Sequence, residues 1–136
     1  MHYRMLVLTD KKNADTSAGA REYVYDTLEQ DDSFLMEGGR FGSGVADWFV
    51  IGGRWSGALS GKAYDDRDGY KPAGYDDEAQ IATQELYEKF LQAYEGTDIA
   101  EGKNGYGIEA VDLDYDPITP DTTIGKKWLV VVDYHA

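Results

Sequence analysis

The residues best suited to chemistry lie in one stretch, Asp47-Trp48-Phe49-Val50-Ile51-Gly52-Gly53-Arg54-Trp55-Ser56-Gly57. Adjacent glycines permit a tight turn with positive φ and let a ligand approach the backbone N–H groups. Arg54 and Trp55 place a fork of donors beside a flat π face, a pairing suited to a phosphate, a carboxylate or a nucleobase. Gly38-Gly39-Arg40-Phe41 repeats the pattern upstream. Arg40, Trp48, Gly52, Gly53, Arg54 and Trp55 are therefore the candidate ligand-binding residues. The competing reading is a pair of hairpin turns whose arginines bridge local acids. Gly42-Ser43-Gly44 lacks the third glycine of a dinucleotide fingerprint, and the lysine motif of a phosphate loop is missing.

Asp112-Leu113-Asp114-Tyr115-Asp116 sets three carboxylates at alternate positions, which on a strand share one face about 7 Å apart. Such a row could draw a divalent cation, protect an edge strand, or present regular negative charge to a basic partner. The row lacks the glycine and closing glutamate of a calcium loop, so no metal ligand is assigned and whether these three aspartates bind a metal is left open. Tyr64, Tyr70 and Tyr75 lie in a glycine- and aspartate-rich segment at about 61–75, read as a mobile loop, where tyrosine offers contact area at small entropic cost. Asp112, Asp114, Asp116, Tyr64, Tyr70 and Tyr75 are the candidate partner-binding residues.

The two histidines, His2 and His135, sit at opposite ends of the chain. They become neighbours if the first and last strands pair antiparallel, with Asp133 nearby, and a metal site or acid–base pair would be the chemistry available. Chain ends fray, which argues against a catalytic use. With no thiol, and with serines in glycine-rich turns, no catalytic residues are assigned and no cofactor is expected. Many acid pairs leave a carboxylate-dependent hydrolase open without selecting its residues.

The elements that must position these groups follow from periodicity. Tyr3 to Thr9 and Lys127 to Tyr134 carry the aliphatic runs Met5-Leu6-Val7-Leu8 and Leu129-Val130-Val131-Val132 and read as the two central strands. Ala20, Tyr23, Val24, Thr27 and Leu28 recur at helical spacing behind a cap at Asp15, Thr16 or Ser17. Val45 to Ile51 reads as a strand, Arg54 to Leu59 as its return, and Ile108 to Asp116 as an edge strand. A second helix is expected from a cap at Asp76 or Asp77, with Ala79, Ala82, Leu86, Phe90 and Ala93 as its stripe and Gly96 beyond its end. The expected fold is one α+β domain over 1–136: an antiparallel sheet with two helices on one face, ferredoxin-like with an added edge strand.

Composition narrows the partners. The chain of 136 residues has 26 acidic and 13 basic side chains, a formal net charge of −13 and no cysteine. That balance disfavours direct binding to nucleic acid or an anionic membrane, and the opening residues are too polar for a signal peptide or a span. The Trp-aromatic-x-Ile-Gly-Gly-Arg-Trp stretch resembles a signature of small uncharacterised proteins of phages and bacterial mobile elements. The resemblance covers under a tenth of the chain and implies a phage-type accessory protein in the host cytoplasm, without assigning an activity. The expectation is a protein that binds rather than catalyses. In the leading reading it is an inhibitor of a host defence protein, occupying a basic, nucleic-acid-binding surface. In the alternative it sequesters a nucleotide or similar anion through its Gly-Gly-Arg-aromatic turns. The oligomeric state is not read from the sequence.

Overall fold

The computed structural model describes residues 2–31, 34, 46–55, 57–60, 78–102 and 111–135. Strand β1 spans His2–Asp10, helix α1 Ser17–Glu29, β2 Trp48–Ile51, β3 Ala79–Ile81, α2 Gln84–Ala93, the short α3 Pro120–Thr123, and β4 Lys127–His135. β4 is the spine of an antiparallel sheet. One edge pairs with β1 in the register His2↔His135, Leu6↔Val131, Asp10↔Lys127. The other pairs in tandem with β2, from Trp48↔His135 to Ile51↔Val132, and with β3, from Ala79↔Val130 to Ile81↔Trp128.

The α+β class, the antiparallel sheet and the central β1–β4 pair are as the sequence implies. The helices, expected on one face, instead cover both. Ala20, Val24 and Leu28 of α1 pack with Met5, Val7, Trp128, Val130 and Val132. Leu86, Tyr87 and Phe90 of α2 pack with Leu6, Leu8, Leu129 and Val131. Successive strand residues point to opposite faces, so an unbroken aliphatic run needs apolar cover on both sides. Two-faced cover suits those runs; the one-faced, ferredoxin-like layering does not.

Three further expectations change. Arg54 to Leu59 is not a strand: Gly52, Gly53 and Gly57 adopt φ of 75°, 53° and 89°, and the chain curls into 3-10 turns at Gly53–Trp55 and Ala58–Ser60. Residues 79–81, assigned to the second helix, bond to β4 instead. The helix starts after Thr83, whose hydroxyl accepts the Leu86 N–H at 3.2 Å; Asp76 and Asp77 lie outside the described residues. Residues 111–116 form turns joined to β1 by one parallel bridge, Leu8↔Asp112.

The outer edge of β1 is capped by groups from elsewhere. The Tyr94 hydroxyl accepts the Leu6 N–H and donates to the Leu6 carbonyl, both at 3.1 Å. Leu8 exchanges backbone bonds with Val111 and Leu113, and the Asp10 N–H meets the Asp114 carboxylate at 2.6 Å. From Leu6 to Asp10 the edge is therefore occupied and cannot template another strand. Among the described residues no helix is long and apolar enough to cross a membrane.

Candidate functional site

The cross-strand register places two rows of side chains on the α2 face, at the sheet end beyond α2's apolar contacts. His2, His135 and Trp48 form one row; Arg4, Asp133 and Val50 form the next. The Gly53–Trp55 turn folds back over the second row. The Arg54 N–H donates to Asp133 Oδ2 at 2.8 Å, and a Cβ on Gly53 would stand 2.5 Å from that same oxygen. A Cβ on Gly52 would run into the buried Glu78 carboxylate. Both glycines hold positive φ, so the pair supplies conformation and clearance together.

Asp133 is 2% exposed. Its Oδ1 lies 2.9 Å from His2 Nδ1, while the exposed Asp47 lies 3.0 Å from His135 Nδ1. An ionised carboxylate only accepts, so each Nδ1 carries the proton, and in the neutral form of each ring the lone pair lies on Nε2. Trp48, 42% exposed, stacks on His135 with centroids 5.4 Å apart and planes 5° apart, and meets His2 edge-on at 5.3 Å. The two imidazole centroids are 5.8 Å apart at 82°. Beside this cluster the Arg4 guanidinium lies 5.8 Å over the Trp55 ring, whose indole N–H is buried with no hydrogen-bond partner among the described residues.

Of the six candidate ligand-binding residues, Trp48, Gly52, Gly53, Arg54 and Trp55 converge here, with Arg54 exposed at the turn. Arg40 lies outside the described residues. His2, His135, Asp133, Asp47 and Arg4 complete the site. The antiparallel β1–β4 pairing is the signal that joins the histidines, and frayed ends are not what the register shows.

The aspartates at 112, 114 and 116 do not form a strand face. They turn inward around Lys127, which is 2% exposed, its Nζ 2.5 Å from Asp116, 3.5 Å from Asp114 and 3.6 Å from Asp112. The reversal at Tyr115, with φ of 61°, brings Asp116 round to the ammonium. Burial pushes the Asp112 carboxyl up to about 6, against the pull of the Asp114 N–H and of Lys127. Burial also opposes ionisation of Asp114, but the Asp10 N–H, Asn13 and Lys127 together hold it below the usual range. Lys127 is disfavoured by burial, yet the three carboxylates, led by the Asp116 hydrogen bond, hold its ammonium above the ordinary value. Tyr64, Tyr70 and Tyr75, with the expected loop at about 61–75, lie outside the described residues.

Comparison with protein-family models, curated proteins and solved structures finds no match to this chain. Its function is argued from the site.

Proposed function

We propose that this chain is a binding protein that captures a small anionic ligand carrying a flat ring, of the nucleotide class, at the exposed end of its sheet. The observation that carries this reading is the solvent-exposed Trp48 indole, held against the two imidazoles one row from Arg4. An indole face accepts a base or similar ring by stacking, worth about 1–3 kcal/mol per base. The Arg4 guanidinium supplies the donors for the anionic part. Fluorescence titration with a nucleotide panel tests the reading. The expected result is saturable quenching that Trp48→Ala abolishes while the protein still melts normally; the absence of any saturable change across the panel overturns it.

A second reading keeps the notion of a phage-type inhibitor of a host protein with a basic surface. Its support is the formal net charge of −13. The aspartates at 112, 114 and 116 share the single ammonium of Lys127 and do not form an exposed strand face; of the three only Asp116 is well exposed. A complex of this kind weakens steeply as salt rises, and unchanged affinity between low and high salt removes the reading.

A further inference from the structure

We infer that His2 and His135 form an open, two-histidine site for a divalent transition-metal ion of imidazole preference, with zinc, nickel and copper as its class. The inference stands apart from the ligand reading, because the metal alone is the probe.

Three observations carry it. The first is orientation. Each Nδ1 is engaged by a carboxylate, Asp133 for His2 at 2.9 Å and Asp47 for His135 at 3.0 Å. This is the outer-shell arrangement that fixes the tautomer and raises the basicity of a metal-binding imidazole. The second is separation. With metal–nitrogen bonds of about 2.0–2.1 Å, one ion shared by two imidazoles holds their centroids roughly 5–6 Å apart. The observed separation is 5.8 Å. The ring planes cross at 82°, and an ion lying in both planes sits on their line of intersection. The third is rigidity. The two residues are direct cross-strand partners, locked by the β1–β4 register, so bringing the rings together costs little further ordering.

The ligand set also points away from calcium and magnesium, which take oxygen ligands. Here the nearest carboxylates are engaged by the imidazoles, and imidazole nitrogen suits zinc, copper and nickel. Among the described residues no group of three His, Cys, Asp or Glu side chains could hold a metal ion. The pair therefore leaves positions for water or for an anionic oxygen. If the ligand reading also holds, the ion adds the positive charge that a phosphate would meet beside Trp48.

The chain contains only these two histidines, so a preparation without an added histidine tag gives two imidazole signals. Zinc chloride is titrated into the full chain by calorimetry and by long-range proton–nitrogen correlation of the rings. The expected result is one ion per chain, with both Nε2 resonances shifting together and both Nδ1 resonances keeping their protonated character. Asp47→Asn, at an exposed position, is expected to weaken binding roughly 10-fold or more without changing the melting temperature. His135→Ala is expected to weaken it further. The inference is overturned if neither ring shifts at millimolar zinc, if only one does, or if the double variant His2→Ala/His135→Ala binds zinc as the parent does. That last outcome would assign the ion to surface carboxylates. Because the spectroscopic arm uses the parent protein, a variant that fails to fold leaves the test intact.

Discussion

At the Lys127 end of β4 three carboxylates, from the buried Asp112 to the exposed Asp116, converge on one buried ammonium, whereas at the His135 end two carboxylates each hold one imidazole and leave the rings at the surface. The first arrangement is closed. Asp114 alone takes bonds from the Asp10 N–H, Thr9 and Asn13 besides Lys127, and these ties fasten the 111–116 turns to the edge of β1. The second is open, with Trp48 among its rings. Acid count is thus a poor guide to which acids meet a partner: part of this chain's charge is spent on structure, and the groups left with unspent chemistry are the imidazole and indole rings.

The contrast is broken most directly at Lys127. Lys127→Met removes the only ammonium facing Asp112, Asp114 and Asp116 among the described residues, and an uncompensated buried charge of this kind costs about 3–5 kcal/mol. Urea unfolding is expected to show a protein at the margin of folding. A variant within about 1 kcal/mol of the parent would mean that the carboxylates can rotate to solvent and that the corner is not closed.

Next in size is Gly53→Ala. The new Cβ would lie 2.5 Å from Asp133 Oδ2 and 2.6 Å from Val50 Cγ2, at a φ of 53° that an L side chain rarely adopts. A loss of about 1–3 kcal/mol is expected, together with displacement of Asp133 and a changed His2 ring resonance. A normal melting curve with an unshifted His2 would show that the turn does not press on Asp133.

Much of this was legible in the sequence, and the failures have physical causes. The aliphatic runs of β1 and β4 mark the centre of the sheet, and their continuity is itself the sign of cover on both faces, a sign that the grouping of the elements by order alone passes over. β3 is three residues long and lies where Ala79 and Ala82 extend the helical stripe of α2, so local periodicity cannot separate it. The alternation of Asp112, Asp114 and Asp116 mimics a half-buried strand. Its true organiser, Lys127, opens a strand as a charged residue would at a surface, and only tertiary structure reveals that its ammonium is enclosed. At the other end one topological inference, that first and last strands pair, suffices to join His2 to His135. Arg4 and Asp47 enter through register, which composition does not encode.

The closed corner also predicts a pH response. Burial raises Asp112 from its unfolded value near 3.8 to about 6, so between those values the native state binds more protons than the unfolded chain. Its contribution to stability therefore falls as pH rises from about 4 to 6 and stays low above that. Asp114 acts in the opposite sense: its lowered value gives stability that is present above the unfolded pKa and lost only in stronger acid. Lys127, held above its ordinary value, contributes until the pH climbs through its native pKa in strong alkali. The parent is expected to melt at a higher temperature near pH 5 than near pH 7.5, and Asp112→Asn to flatten that difference. An equal slope in both proteins would place the pH dependence in the general excess of acid instead.

The smallest expected effect on stability comes from the open end. Trp48 keeps 42% of its surface in solvent, and its ring contacts are to His2 and His135, themselves partly exposed. Trp48→Ala removes those contacts without creating an enclosed cavity, so the cost should be about 1 kcal/mol, far below the roughly 3–5 kcal/mol of truncating a core aromatic. Binding should respond in the reverse order, since the indole is the stacking surface of the proposed site, and Trp48→Phe should keep part of what Trp48→Ala loses. Chemical denaturation of both variants, beside the nucleotide titration, sets the two scales against each other. If Trp48→Ala unfolds as readily as Lys127→Met, the ring cluster is a structural cap on the sheet end and the distinction between the two ends of β4 fails. If it melts near the parent and ligand capture is gone, the open end is where this protein keeps its function.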